Sequence, residues 1–134
     1  MMPYINIRVG SRLNSLQKSN IQNRTTDLMN RVMGKRREVT VVHIDESVPA
    51  LWAVDGKGLK EEAPVAVYVD IKVTQGTNSA EEKAQMIART VTMLKEEIGA
   101  IQEACYVLIN DIPANSWGYD GISQAERADK RLKD

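Results

Sequence analysis

The chain opens on a strict alternation of apolar and polar positions. Ile5, Ile7 and Val9 fall on one face and Tyr4, Asn6 and Arg8 on the other, which is the period of a half-buried strand. Asn14 or Ser15 then caps a run in which Ile21, Thr25, Leu28, Met29 and Val32 recur at helical spacing. Gly34 supplies a favourable stop, so the spacing predicts a helix over about 15–33. The β-branched stretch VTVVHI predicts a second strand, and the segment after it carries an Asp55-Gly56 pair suited to a tight hairpin turn.

The same order then runs again. Val67, Val69, Ile71 and Val73 alternate with Tyr68, Asp70 and Lys72, and the polar face repeats as well: Tyr4 answers Tyr68, Asn6 answers Asp70 and Arg8 answers Lys72. Ser79 and Glu82 have the spacing of a capping box. They open a helix with Ala84, Ile87, Ala88, Val91, Leu94 and Ile98 on one stripe, closed by Gly99. CYVLI and NDIPANSWGYDG echo HIDESVPALWAVDG, with Trp52 answering Trp117 and Asp55-Gly56 answering Asp120-Gly121. The chain reads as an internal duplication, one domain over 1–134 made of two βαβ repeats at about 3–60 and 65–125. A strand-helix-strand crossover sets its strands parallel with a right-handed connection. The expected fold class is therefore α+β (α/β two-layer), with a four-stranded mixed sheet and two helices on one face. The face carrying Tyr4, Asn6, Arg8, Tyr68, Asp70 and Lys72 then lacks a layer of its own, which predicts a homo-oligomer; the alternative is a monomer with one solvated sheet face.

Composition narrows the range of functions. At 134 residues the chain suits a single core. Lys plus Arg number 18 and Asp plus Glu number 18, so no net charge draws the chain to nucleic acid or to an anionic membrane. Cys105, the one cysteine, sits in an apolar run and reads as a small buried hydrophobe. His43, the one histidine, stands near Asp45 and Glu46 without a second ligand type at suitable spacing, so no metal site is expected. With no intramolecular disulfide, no apolar stretch of membrane-spanning length and no charged-then-apolar leader, a soluble cytoplasmic protein is the expectation.

Several of these features together resemble a known family. A strand opening with Pro3, a βαβ unit of about sixty residues and a strand leading into a Pro-x-x-Trp or Pro-x-x-x-Trp hairpin are similar to the tautomerase superfamily. The duplication is similar to its fused members, in which one chain carries two 4-oxalocrotonate tautomerase units, as in the macrophage migration inhibitory factor type. The resemblance covers nearly the whole chain. It implies a homotrimer, a small-molecule substrate, no cofactor and a pocket in which Pro3 is the catalytic residue. Trp117 and Gly118 of NDIPANSWGYDG match the hairpin signature that lines this pocket, Lys35 of GKRREVTVVH matches a bordering lysine, and Tyr106 of ACYVLIND matches a pocket tyrosine. Arg12 lies near the place of an arginine that follows the first strand. The arginine that grips substrate carboxylate in the short enzymes has no counterpart, since the matching positions are Val41 and Tyr106. The second repeat starts around Ala66 and Val67 inside the chain, so one site per chain is expected.

The resemblance implies a definite chemistry for Pro3. Within a chain proline is an amide, whereas at a terminus it is a secondary amine. An α-amino group has an ordinary pKa of about 8, and desolvation or nearby cations lower it further. Such a base takes a proton from carbon beside a carbonyl and returns it elsewhere, interconverting the enol and keto forms of a small 2-oxo acid or aryl enol. Lys35 or Tyr106 would face the developing enolate oxygen. Two other outcomes stay open at this point: a hydratase or dehalogenase-like reaction on the same scaffold, or a non-catalytic oligomeric binding protein. Met1 and Met2 precede Pro3, and because methionine excision requires a small following residue, Met1 is expected to stay while Met2 follows it. Only a chain lacking both has Pro3 as an amine.

Overall fold

The computed structural model describes residues 2–133. Met1, to which the excision rule applies, lies outside the described residues. The first half contributes β1 (Tyr4–Val9), α1 (Ser15–Arg31), β2 (Val41–Glu46) and a short hairpin, β3 (Ala53–Val54) with β4 (Lys57–Gly58). The second half contributes β5 (Val67–Thr74), α2 (Ala80–Ile98), β6 (Tyr106–Ile112) and the matching hairpin, β7 (Gly118–Tyr119) with β8 (Ile122–Ser123). A third helix, α3 (Gln124–Lys133), follows the second hairpin and runs beyond the repeat as delimited from the sequence.

The four long strands form one mixed sheet in the order β2-β1-β5-β6. Each repeat supplies a parallel pair, Tyr4 beside Val41 and Tyr68 beside Tyr106. The repeats join through an antiparallel pairing of β1 with β5, in which Tyr4 faces Lys72, Asn6 faces Asp70 and Arg8 faces Tyr68. Exchanging the two repeats maps the first of these pairs onto the last, so a local two-fold passes through the Asn6–Asp70 pair.

Alternation decides which side of the sheet is covered. Ile5, Ile7, Val9, Val67, Val69, Ile71 and Val73 are all buried beneath the helices. Each such side chain contributes about 1.5–3 kcal/mol on leaving water. From α1 they meet Ile21, Thr25 and Met29, and from α2 they meet Met86, Thr90, Met93 and Leu94. The α2 stripe therefore departs from the one expected from spacing: Val91, Leu94 and Ile98 pack inward, whereas Ala84, Ile87 and Ala88 face solvent. The two helices use equivalent registers, and the duplication puts Met86 and Met93, longer and more adaptable side chains, where α1 has Ile21 and Leu28.

The helix ends follow from local chemistry. Asn14 and Ser79 each accept the backbone N–H of the third helical residue, and Gln17 and Glu82 return the bond. Asp55-Gly56 and Asp120-Gly121 both take positive φ at both residues, as a two-residue hairpin turn requires.

The other face of the sheet carries a polar network with no layer over it in the single chain. The Asn6 amide donates to Asp45 at 3.1 Å and lies 3.0 Å from His43 Nδ1, while Asp70 accepts from Lys72 at 2.7 Å and from Asn110 at 2.6 Å. Val41, Tyr106 and Leu108 are exposed on the two edge strands of this face.

Replacing Ile71 by Ala is expected to cost about 2–5 kcal/mol in urea unfolding, because the site is fully enclosed. Leu51→Ala, at a side chain 77% exposed, is expected to change stability by less than about 0.5 kcal/mol. Equal effects at the two positions would contradict the core described here.

Candidate functional site

The start of β1 forms one wall of a cavity of about 410 Å³. Met2, Pro3, Tyr4, Glu38, Val39, Val41, Trp117, Gly118 and Tyr119 line it. Three separate stretches meet there because β1 lies parallel to β2 and antiparallel to β5. That arrangement puts the N-terminal end of β1 beside the turn into β2 and beside the C-terminal end of β5. The second hairpin folds over this end of the sheet and is fastened by the Trp117 indole, whose N–H donates to Thr74 Oγ1 at 3.1 Å. Gly118 is required by close approach: a Cβ there would lie 2.1 Å from the carbonyl oxygen of Ile122.

Of the residues singled out in the sequence, Pro3 and Trp117 come together in this cavity. Met2, 6% exposed, lies against the same space. Lys35 does not line it. Gly34, at φ 69°, ends α1 and turns the chain so that the Lys35 side chain runs inward and is fully buried. Its ammonium donates to Thr77 Oγ1 at 2.8 Å, and that hydroxyl donates in turn to the Thr74 carbonyl at 2.6 Å. Lys35 thus reaches the cavity only through Thr77 and Thr74, the residue that holds Trp117. Tyr106 opens β6 on the outer edge of the sheet, 67% exposed. Arg12 is exposed in the loop after β1, at the opposite end of that strand from Pro3.

Three residues of the site go unread in the sequence. Glu38 brings a carboxylate to the cavity, its side chain paired with Arg36 at 3.4 Å. Tyr119 forms a wall, and Arg127 of α3 braces it from behind. The Arg127 guanidinium stacks 3.8 Å from the Tyr119 ring centroid and donates to the Tyr119 carbonyl at 2.9 Å. The Gln124 backbone N–H donates to the Trp117 carbonyl at 3.0 Å, so α3 holds both aromatic walls. The Trp-Gly-Tyr-Asp-Gly run signals the hairpin, whereas nothing in the polar sequence of α3 marks Arg127. Among the described residues no cluster of His, Cys, Asp or Glu could hold a metal ion, and no helix is long and apolar enough to cross a membrane.

Burial holds the Lys35 ammonium below the ordinary lysine value of 10.5, with Glu82 and Asp111 acting in the opposite direction. The folded protein therefore binds this proton less tightly than the unfolded chain, and between the depressed value and 10.5 stability rises with pH. Lys35→Met keeps the buried stem and removes this dependence. The urea midpoint of the wild type relative to Lys35→Met is expected to climb as pH is raised from about 7 to about 10. A difference that stays constant over that range would mean that the lysine titrates normally.

Comparison with known proteins places this geometry. A family model described as tautomerase enzyme matches the chain twice, over residues 3–62 and 68–127. The chain is 32% identical over 60 residues to the probable tautomerase K2 of Dickeya dadantii (strain 3937), a match covering 45% of this chain and 90% of that protein. The crystal structure of Pt0534 inactivated by 2-oxo-3-pentynoate superposes with a TM-score of 0.82 at 18% identity, covering 92% of this chain and 98% of the other. The asymmetric trimer of the wild-type R7 fused 4-OT gives 0.80 at 15% identity, over 93% and 98%. At such identities the structural likeness speaks for the fold, and the doubled sequence match speaks for descent: the protein belongs to the tautomerase family, with two of its units in one polypeptide.

Proposed function

We propose that the protein is an isomerase that interconverts the enol and keto forms of a small 2-oxo acid or aryl enol, with Pro3 as the proton shuttle in chains lacking Met1 and Met2. The observation that carries this reading is the position of Pro3 in a cavity walled by Trp117, Tyr119, Val39 and Val41. Apolar walls disfavour the protonated form of a terminal proline amine, while the Glu38 carboxylate in the same cavity acts in the opposite direction. The neutral amine takes the proton from the oxygen or carbon of the substrate and gives it back at the other end of the enol system. Membership of the tautomerase family supports the reaction type, and a pocket of this size suits a ligand of a dozen or so heavy atoms.

Donors for the enolate oxygen come from outside the cavity of the single chain in this reading. Tyr106 projects from an edge strand into solvent beside the uncovered polar face, as a residue offered to a neighbouring copy would. The likeness to a fused 4-OT trimer supports a homotrimer. Light scattering is expected to give three times the chain mass of 15.0 kDa, and Tyr106→Asp with Leu108→Asp is expected to lower it toward one chain. A monomer in the unmodified protein would remove this source of donors.

Glu38 favours a second reading. A carboxylate in the same cavity as the amine is the group a hydration reaction needs to activate water, with Pro3 then protonated and acting as acid. One preparation separates the readings: the chain beginning at Pro3, assayed with phenylenolpyruvate and with an acetylenic or olefinic 2-oxo acid. On the isomerase reading the enol turns over, Pro3→Ala lowers kcat/KM by about 10²–10⁴, and Glu38→Gln has little effect. Full activity in Pro3→Ala would sink both readings, and loss confined to the hydration assay in Glu38→Gln would select the second.

A further inference from the structure

A second cavity, of about 330 Å³, lies in the helix layer, away from the hairpin that closes over Pro3. Its lining comes from two stripes: Arg24, Asp27, Leu28 and Arg31 on α1, and Arg89, Thr92, Met93 and Glu96 on α2. Both stripes have the i, i+3, i+4, i+7 spacing of one helix face. Each residue of the first is the duplication partner of one in the second: Arg24 with Arg89, Asp27 with Thr92, Leu28 with Met93 and Arg31 with Glu96. The groove therefore straddles the local two-fold, with an apolar floor of Leu28 and Met93.

Its charges are unevenly satisfied. Arg24 is bound twice, to Glu96 and to Glu97, each at 2.8 Å. Asp27 is taken by Arg37. This uses both carboxylates of the groove and leaves Arg31 and Arg89 without an ion-pair partner among the described residues, two guanidiniums lining one cavity over an apolar floor. We propose that this groove is a binding site for a small amphipathic carboxylate, its anion held between Arg31 and Arg89 and its ring or short chain lying on Leu28 and Met93. A guanidinium fork matches a carboxylate in geometry as well as charge. The volume lies near the lower end of the range for small-molecule sites, which admits a single ring or a short chain. The site uses no residue of the Pro3 cavity, so it stands or falls independently of the isomerase reading.

The test is a titration of the ¹⁵N-labelled full chain with sodium phenylacetate, followed through the backbone amides of 24–31 and 89–96. Saturable shifts are expected there, with affinity at least about tenfold weaker in Arg31→Gln/Arg89→Gln. Both arginines are exposed, so the double variant is expected to keep the wild-type spectrum elsewhere. Phenylacetamide tests the charge and inorganic phosphate tests the apolar floor, and each is expected to bind at least about tenfold more weakly than phenylacetate. The proposal is overturned if these amides do not shift, if the double variant binds as tightly as the wild type, or if either control ligand matches phenylacetate.

Discussion

The antiparallel pairing of β1 with β5 is the constraint on which the rest depends. Neither repeat encloses its apolar strand face alone: one parallel pair with one helix has an open flank, and β1 and β5 would each present an unpaired edge. Joining those edges makes a four-stranded sheet wide enough for two helices to lie side by side. Ile5, Ile7, Val69 and Ile71, at the seam, become fully enclosed. The register follows from the alternation, since a slip of one residue would carry every valine and isoleucine of β5 to the polar face and bring Tyr68, Asp70 and Lys72 beneath the helices.

The same pairing builds the candidate site. Because β1 and β5 run in opposite directions, the end of one lies beside the beginning of the other, and the hairpin that follows the second repeat closes over the first strand's start. Trp117 then sits by Pro3, and Trp52, its partner by duplication, sits at the far end of β1, bonded to Ser47 and packed so close to Gly10 that a Cβ there would lie 2.9 Å from the indole. Each indole is anchored within its own repeat, Trp117 on Thr74 and Trp52 on Ser47.

Much of this architecture is legible in the sequence because its signals are local and doubled. Period-two alternation at Ile5–Val9 and Val67–Val73, a cap at Asn14 or Ser15, a capping box at Ser79 and Glu82 and two Asp-Gly turns specify the elements, and the repetition specifies how they are arranged. The harder features are those settled by tertiary contacts. Lys35 in a Gly-Lys-Arg-Arg run has the look of an exposed helix end, yet Arg36 and Arg37 stay at the surface while Lys35 turns inward. The left-handed turn at Gly34 and the bond from the Asn30 amide to the Lys35 carbonyl fix that direction, and neither distinguishes one basic residue from the next in the sequence. The α2 stripe is ambiguous for a related reason. Ala84, Ile87 and Ala88 carry enough apolar character to suggest the core, but Met86, next to Ile87, and Met93 one helical heptad on are the side chains that turn inward. Arg127 is a site-supporting residue in a helix of almost wholly polar composition, and only the stacking on Tyr119 gives it away.

The two ends of the sheet show what distinguishes one repeat from the other. The groove over Val54, Gln102, Glu103, Ala104, Cys105 and Tyr106 is the duplication image of the Pro3 cavity, with Glu103 for Glu38, Ala104 for Val39, Tyr106 for Val41 and Val54 for Tyr119. A carboxylate, Glu103, persists in the second groove, whereas Val67 and Trp52, the counterparts of Pro3 and Trp117, do not line it. The position equivalent to Pro3 is Val67, which lies within the chain, and the backbone before it is already committed: Gly10 N–H donates to the Ala66 carbonyl at 2.8 Å and Val65 N–H to the Ala100 carbonyl at 2.9 Å. A backbone amide has neither a lone pair basic enough to take a proton nor a charge that desolvation could tune. At the position equivalent to Pro3 the second repeat therefore has a backbone amide that trimming of the N-terminus cannot expose.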